Sequence, residues 1–378
     1  MNFDLTDEQR AIQSLARDFA TGDVKPVAEE LDRTKSFPYE IVKKLGELGL
    51  MGIPYPEEHG GGGADNLSYA LAIEELARVD SSVAITVAAH TSLGTWPIYA
   101  FGSEEQRRAW LPKLCAGETL AAFGLTEPEA GSDAGNTRTT ATLDDGHWTI
   151  NGSKQFITNS GTDISGFVTI TAKTTRDGEI SNLLVPNGTP GYQVGEPYRK
   201  MGWNASDTRP LSFEDCRVPE ENLVGQRGQG FKQFLQTLDG GRIGVAAMGV
   251  GLAQGALDEA LAYAKQRIAF GQPISSYQAV QTKLADLSTE IEAARLLTYR
   301  AAAEKDAGRN FSLTAAQAKL KTGRLAVKAS EEAVQIHGGY GYIEDYPVCR
   351  FYRDAKVLTI GEGTDEVQQM VIARHLGC

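Results

Sequence analysis

The sequence has no excess of positive charge: 37 Lys and Arg stand against 49 Asp and Glu, a formal net charge of −12 over 378 residues. Nucleic-acid binding, which needs clustered cations facing phosphates, is disfavoured. Cysteine is scarce too. Cys115, Cys216, Cys349 and Cys378 form no CxxC pair and no finger spacing, so neither a disulfide framework nor a zinc site is supported, and a reducing compartment is expected. HExxH, GxxxxGK[ST] and GxSxG are all missing, which removes the signatures of zinc peptidases, P-loop enzymes and α/β-hydrolases. Met1 to Arg10, MNFDLTDEQR, shows no basic n-region, no apolar h-region and no Arg-rich presequence, and predicts a cytoplasmic start. Ser81 to Ser103 carries no Asp, Glu, Lys or Arg and is long enough for a membrane span. His90, Gly94, Pro97 and several Ser and Thr within it argue instead for a buried helix lining an internal cavity.

Glycine is plentiful: 41 residues, about 11 per cent against a typical value of roughly 7. Backbones that approach something closely need it. The hydrophobic period changes twice along the chain. From Thr6, an N-cap followed by Asp7 and Glu8, the residues Ile12, Leu15, Ala16 and Phe19 recur on one helical face. The helical signal continues over Tyr39 to Gly49, stops in a Gly-rich loop over 54–63, and resumes over Tyr69 to Val79. Near Leu120 it gives way to period two, with β-type runs at 147–150, 167–172 and 211–213. Asp-Asp-Gly at 144–146, Asn-Gly at 151–152, Arg-Asp-Gly at 176–178 and Asn-Gly at 187–188 read as the turns between strands. The helical period returns at Gln229 and ends in a helix capped by Thr364 with Asp365 and Glu366 in its first turn. Three domains are therefore expected: a helical one over 1–120, a β domain over 121–226 and a helical bundle over 227–378.

Gly249-Val-Gly251-Leu-Ala-Gln-Gly255 imitates a dinucleotide fingerprint, yet it sits inside a helical pattern with no strand before it. Small residues for close helix packing explain it better. Three segments could carry chemistry. Residues 123–133, FGLTEPEAGSD, set hydroxyls and glycines at the entry to the β domain, where backbone N–H groups can face a phosphate; a capped turn would look the same. Phe156 and Thr158 stand on one side of a strand, where a planar ring could stack, although ordinary cross-strand packing has the same pattern. Glu362 lies between Gly361 and Gly363 just before the last helix, a position that either serves a ligand or favours the helix N-terminus. His337 reads as a helix cap, His59 as solvated, and the four Trp as packing.

Together these residues resemble the flavin-dependent acyl-CoA dehydrogenases over essentially the whole chain. The motifs that carry the resemblance are LTEPEAGSD at 125–133, FITN at 156–159, GWNASDTR at 202–209, LDGGR at 238–242, RIAFGQPI at 267–274, QIHGGYGY at 335–342 and EGT at 362–364. The resemblance implies a multidomain α+β fold: a helical N-terminal domain, a central β-barrel or sandwich domain and a C-terminal four-helix bundle. It implies FAD as cofactor and an acyl-CoA thioester as substrate, with Glu362 as the base that takes the α-proton. By the same carry-over, Phe123, Leu125, Thr126 and Ser132 would line the FAD, Ser132 also facing substrate, while Phe156, in place of the common Trp, and Thr158 would lie at its ring. Arg267, Phe270, Gln278, Gln335, Gly338 and Gly339 match positions that reach the FAD of a neighbouring subunit, which implies a homo-oligomer, a tetramer in this family. Thr364 and Glu366 would contact the cofactor beside the base. Asp239 and Arg242 match the mouth of the thioester channel, Gly361 and Gly363 flank the base, and Gly241 leaves empty the alternative base position of some relatives. Gly361 stands where many relatives carry an aromatic wall of the acyl pocket, and Ala84 near where glutaryl-type relatives carry an Arg. A short to medium monocarboxylic acyl chain, branched ones included, is expected. An electron transfer flavoprotein is the expected acceptor; an acyl-CoA oxidase, another oxygen-using flavoenzyme or a non-catalytic relative is the alternative.

Overall fold

The computed structural model describes residues 4–175 and 178–378. The chain opens with helices α1 (Asp7–Phe19), α2 (Lys25–Thr34), α3 (Tyr39–Glu47), α4 (Asn66–Val79), α5 (Ser81–Ala88), α6 (Trp96–Phe101) and α7 (Glu104–Cys115). Thr6 and Ser103 both close capping boxes, so the first N–H groups of α1 and α7 are satisfied from within the sequence. On α1, Ala16 and Phe19 are buried as expected, whereas Leu15 is half-exposed at the edge of the stripe. A π-helical segment, Ala89–Thr95, joins α5 to α6. The whole of α5 and most of that segment are buried, and among the described residues no helix is long and apolar enough to cross a membrane. Within the segment, Nε2 of His90 bonds the Leu114 carbonyl at 3.0 Å and Nδ1 accepts from the Ala121 N–H at 3.2 Å. Burial pushes this imidazole down to about 4, so it stays neutral.

Strands follow: β1 (Leu120–Gly124), β2 (Thr140–Asp144), β3 (His147–Thr158), β4 (Ser165–Lys173), β5 (Ile180–Pro186), β6 (Tyr192–Val194), β7 (Thr208–Pro219) and β8 (Leu223–Val224). They hydrogen-bond in the order β6-β7-β3-β2-β4-β5-β8, with β1 parallel to β4. Only Thr140 and Lys173 pair between β2 and β4, so the sheet turns there. One face encloses a core containing Trp148, Ile150, Val168, Leu183 and Phe213, and the opposite face of β4 and β5 lies under α6 and α7 through Phe167, Leu184, Ile98 and Leu111. Asp145 and Gly146 both have positive φ and form the β2–β3 turn. The expected turn at Asn151-Gly152 is not one. Both residues lie inside β3 at a bulge, where a Cβ on Gly152 would come within 2.5 Å of the Thr139 hydroxyl, so the glycine admits a neighbouring strand rather than a reversal. Of the Arg-Asp-Gly turn, Arg176 and Asp177 lie outside the described residues.

The remainder is α8 (Gly230–Gln266), a short hairpin of β9 (Ile268–Ala269) and β10 (Gln272–Pro273), α9 (Gln278–Asp306), α10 (Ser312–His337), α11 (Pro347–Ala355) and α12 (Asp365–His375). Helices α8, α9 and α10 are long, and α12 packs on α10 as the short fourth member. The Gly249–Gly255 segment lies in mid-α8. A Cβ on Gly251 would stand 2.1 Å from the Glu74 carbonyl oxygen, and one on Gly255 2.1 Å from that of Arg78, so glycine lets α8 lie directly on α4. His337 bonds the Ala333 carbonyl at 2.8 Å and stacks on Tyr263. His59, expected in solvent, instead packs edge-on against Tyr99, with a side chain only 15% exposed.

Candidate active site

The last helix begins where the sequence places it: the Thr364 hydroxyl accepts from the Val367 N–H at 3.3 Å. Glu362 and Gly363 precede the cap with φ of +52° and +94°. For glycine this costs nothing. For a glutamate it is a strained conformation that persists only where surrounding bonds hold it. Gln368, fully buried one turn into α12, donates Nε2 to the carbonyls of Glu362 (3.2 Å) and Gly363 (3.0 Å). Lys319 in mid-α10, also fully buried, donates Nζ to the Gly363 carbonyl at 2.6 Å.

The Glu362 residue is partly accessible at its backbone, but both of its carboxyl oxygens are sealed from solvent and have no hydrogen-bond partner. They rest against α8. A Cβ on Gly241 would lie 2.1 Å from Oε2 and 3.0 Å from the Leu93 side chain, so a larger residue at 241 would displace the carboxyl. Burial pushes the Glu362 carboxyl up to about 7, against the pull of Lys319 and Arg242. Desolvation thus outweighs the two cations nearby. Tyr69 of α4 faces the same point, its phenol raised by burial and by the Glu362 charge. Arg242 is buried, pairs with Asp239 and leaves its Nε without a partner; Asp239 also accepts from the Ser312 hydroxyl at 3.1 Å. Gly361, Gly363, Asp239, Arg242 and Thr364 therefore surround Glu362 as one group. Glu366 is exposed on the first turn of α12 and turned toward its own helix N-terminus.

A second group forms at the mouth of the sheet. Phe156 has φ of +62°, which throws its ring outward, 63% exposed, 5.2 Å from the Tyr198 ring. Thr158 follows on the same side, and the Gln155 N–H donates to the Thr126 carbonyl at 2.8 Å, so 125–126 and 156–158 adjoin. Beneath them lies an ion pair the sequence reading did not single out. Lys154, fully buried, donates Nζ to Glu127 Oε1 (2.6 Å), Thr171 Oγ1 (3.0 Å) and the Leu125 carbonyl (3.3 Å). Burial alone would raise the Glu127 carboxyl. The Lys154 charge, with the N–H groups of Arg138 and Thr139 and the Thr137 hydroxyl, overrides it and holds the group down to about 2. Lys154 in turn is pulled down to about 8 by burial, and the pair is ionised at neutral pH. An exposed ring held rigidly beside hydroxyls and a tethered loop suits a planar amphipathic ring system such as a flavin. Phe123 is buried in β1 behind this group, and Ser132 lies exposed on the loop.

The third set, Arg267, Phe270, Gln278, Gln335, Gly338 and Gly339, is exposed at the far end of the bundle. Phe270 is 96% exposed at φ +50°, and Arg267 lies over the Tyr340 ring at 5.9 Å. Among the described residues, the bonds and ring contacts of this set run to neighbours such as Tyr263, Ile274, Tyr277 and Tyr340, none of which belongs to the first two groups. Lys319 had a visible signal, a charge on the small-residue face of α10 that Ala315, Ala318, Thr322 and Ala326 share. Gln368 had none, because its role depends on where α12 folds back.

The chain matches three family models: acyl-CoA dehydrogenase N-terminal domain over residues 6–118, middle domain over 122–216 and C-terminal domain over 228–377. A probable acyl-CoA dehydrogenase of Bacillus subtilis is 51% identical over 378 residues, covering all of both chains. The butyryl-CoA dehydrogenase of Megasphaera elsdenii superposes with a TM-score of 0.97 at 45% identity over both full chains. A chain in a structure of the electron transferring flavoprotein of Acidaminococcus fermentans, described in terms of flavin-based electron bifurcation, does so at 0.97 and 46%, covering 100% of this chain and 99% of that one.

Proposed function

This chain belongs to the acyl-CoA dehydrogenase family, FAD-dependent oxidoreductases that dehydrogenate acyl-CoA thioesters, and from that premise we propose that Glu362 is the base of its reaction. The observation that carries the reading is the pair of unpartnered, solvent-sealed carboxyl oxygens against Gly241. A base that takes a weakly acidic α-proton needs a raised pKa and no bond to compete with the proton. Burial supplies the first and the absence of donors the second. Bound FAD supplies the acceptor for the β-hydride. The chain would hold it with Leu125, Thr126, Phe156 and Thr158 at the ring, with Ser132 and Phe123 nearby. A neighbour's Arg267, Phe270, Gln278 and Gln335–Gly339 would complete the site in a homotetramer. Their exposure on a single chain supports that reading. Asp239 and Arg242 would line the approach of the thioester. The acceptor would be an electron transfer flavoprotein, and the four unpaired cysteines suit a reducing cytoplasm. The test is the pH dependence of kcat/KM with an acyl-CoA and an artificial acceptor. It is expected to rise through an apparent pKa near 7 and level off above it, because Glu362 must be ionised to accept the proton. A flat profile from pH 5 to 9 would remove Glu362 from this role.

The substrate reading rests on Gly361. A Cβ there would find only Val357 atoms at 3.6 and 4.0 Å, ordinary contact, so the backbone at 361 admits a side chain and neither Phe156 nor the α5–α6 region lies against its first carbon. Ala84 is fully buried in a stretch without cations, where a distal carboxylate would be unpaired. Short to medium monocarboxylic chains, branched ones included, are the proposed substrates. In a kcat/KM comparison of butyryl-, hexanoyl-, isobutyryl-, isovaleryl- and glutaryl-CoA, glutaryl-CoA is expected to be the poorest. Gly361→Tyr should selectively lose the branched chains, by roughly 10- to 200-fold, the range that about 1–3 kcal/mol of pocket contact provides. Equal rates on branched chains in both proteins would contradict this pocket.

A further inference from the structure

Three hydrogen bonds from two buried polar side chains converge on two consecutive left-handed residues. Gln368 holds the carbonyls of Glu362 and Gly363, and Lys319 holds that of Gly363, from two different helices. Lys319 differs from two other buried cations, Lys154 and Arg242. Lys154 pairs with Glu127 and Arg242 with Asp239, but among the described residues no carboxylate pairs with Lys319. A fully buried ammonium bonded only to a carbonyl keeps an uncompensated charge, and in a low-dielectric interior such a charge acts on its neighbours over several ångströms. The neighbour without any partner is the Glu362 carboxyl.

We propose that Lys319 is a positioning residue for the base: it holds the strained Glu362–Gly363 turn by its carbonyl and, through its charge, sets the pH at which Glu362 ionises. The inference rests on Glu362 being the base. The charged and titratable groups around the pair are few. Lys319 is faced by Asp365 and Glu366 of α12, by Glu362 itself and by Arg242 of α8. Asp365, the carboxylate that acts most on Lys319, is shared with Arg324 at 2.8 Å, and Arg242, itself a cation held by Asp239, opposes the Lys319 charge. Glu362 is faced by Lys319, Arg242 and the neutral phenol of Tyr69. Burial lowers Lys319 to about 8, which leaves it protonated where Glu362 titrates. Without the charge, desolvation acts on Glu362 unopposed from the α10 side, and its ionisation moves to higher pH.

The experiment compares native protein, Lys319→Gln, Lys319→Arg and Gln368→Leu, each first shown to be folded and to carry FAD. Two readouts are used: the pH profile of kcat, and the titration of the Glu362 carboxyl band by difference infrared spectroscopy, assigned by its loss in Glu362→Gln. Lys319→Gln, which can still donate to the Gly363 carbonyl, is expected to move both midpoints up by about one unit or more, with turnover roughly fivefold or more lower at pH 7 and recovered near pH 9. Lys319→Arg should restore the native midpoint. Gln368→Leu, which removes a neutral donor and keeps the charge, should lower turnover at every pH with the midpoint unmoved. The proposal is overturned if Lys319→Gln lowers turnover uniformly without moving either midpoint, or if Gln368→Leu moves them as far. Should Lys319→Gln not fold, a displaced midpoint in the charge-retaining Lys319→Arg, or an equal shift in Gln368→Leu, overturns it instead. These failures leave the assignment of the base intact, whereas a fully active Glu362→Gln overturns that assignment and this inference with it.

Discussion

Glu362→Gln is expected to keep its fold, its FAD and its affinity for acyl-CoA while losing two or more orders of magnitude in turnover. The exchange is nearly isosteric, so the Gly241 and Leu93 surfaces remain in contact with the side chain. What disappears is the proposed base, and removal of a general base costs typically 10²- to 10⁴-fold, about 3–5 kcal/mol of activation free energy. Stability should move the other way. A carboxyl raised in the folded state stabilises it fully only below its unfolded value, and that contribution is lost as the pH rises through about 7. At pH 8 the native protein holds a buried anion that the variant lacks, so the variant should melt at or above the native temperature. Rapid-mixing measurement of flavin bleaching and thermal melting at pH 8 give both answers. Bleaching near the native rate would mean that another group takes the proton.

The largest effect on stability is expected at Lys154. Lys154→Met removes one partner of an ion pair whose side chains are 0% and 2% exposed, leaving Glu127 buried with its charge opposed only by N–H and hydroxyl groups. Breaking such a pair costs about 3–5 kcal/mol. The loss should reach the cofactor as well, because the same ammonium holds the Leu125 carbonyl and, through Glu127, the 137–139 backbone. Weaker FAD retention on dilution is therefore expected together with a lower urea midpoint. The sign with pH follows from Glu127: held down to about 2, it contributes stability above its unfolded value near 4.5, lost as the pH falls toward 2. The difference between native and variant should accordingly shrink below pH 4.5. Removing both charges with Glu127→Gln in the same chain should recover part of the stability, since the strain lies in the unpaired charge rather than in the missing bond. A single variant as stable as native protein, with undiminished FAD, would show that the pair supports neither.

Much of this protein was legible in its residues alone. The caps at Thr6 and Thr364, the helical stripes and the change to period two are local signals, and the helices those caps open stand where they put them, because capping and alternation act over a few residues. Glu362 between two glycines before a capped helix was equally visible. The misreadings share a cause. Asn151-Gly152 looked like a turn because a dipeptide does not show the strand lying against it, and His59 looked solvated because Tyr99 is 40 positions away. The state of the site was decided only in three dimensions. Glu362 is raised because its carboxyl is buried against Gly241 of α8, with Leu93 and Tyr69 close by, and no spacing in the chain encodes how many donors will be left facing two oxygens. Neither Lys154 nor Lys319 shows in the sequence which group it will meet. Tertiary packing gave one a carboxylate and the other a carbonyl, and that difference in partner separates a clamp under the sheet from a charge left to act on the base.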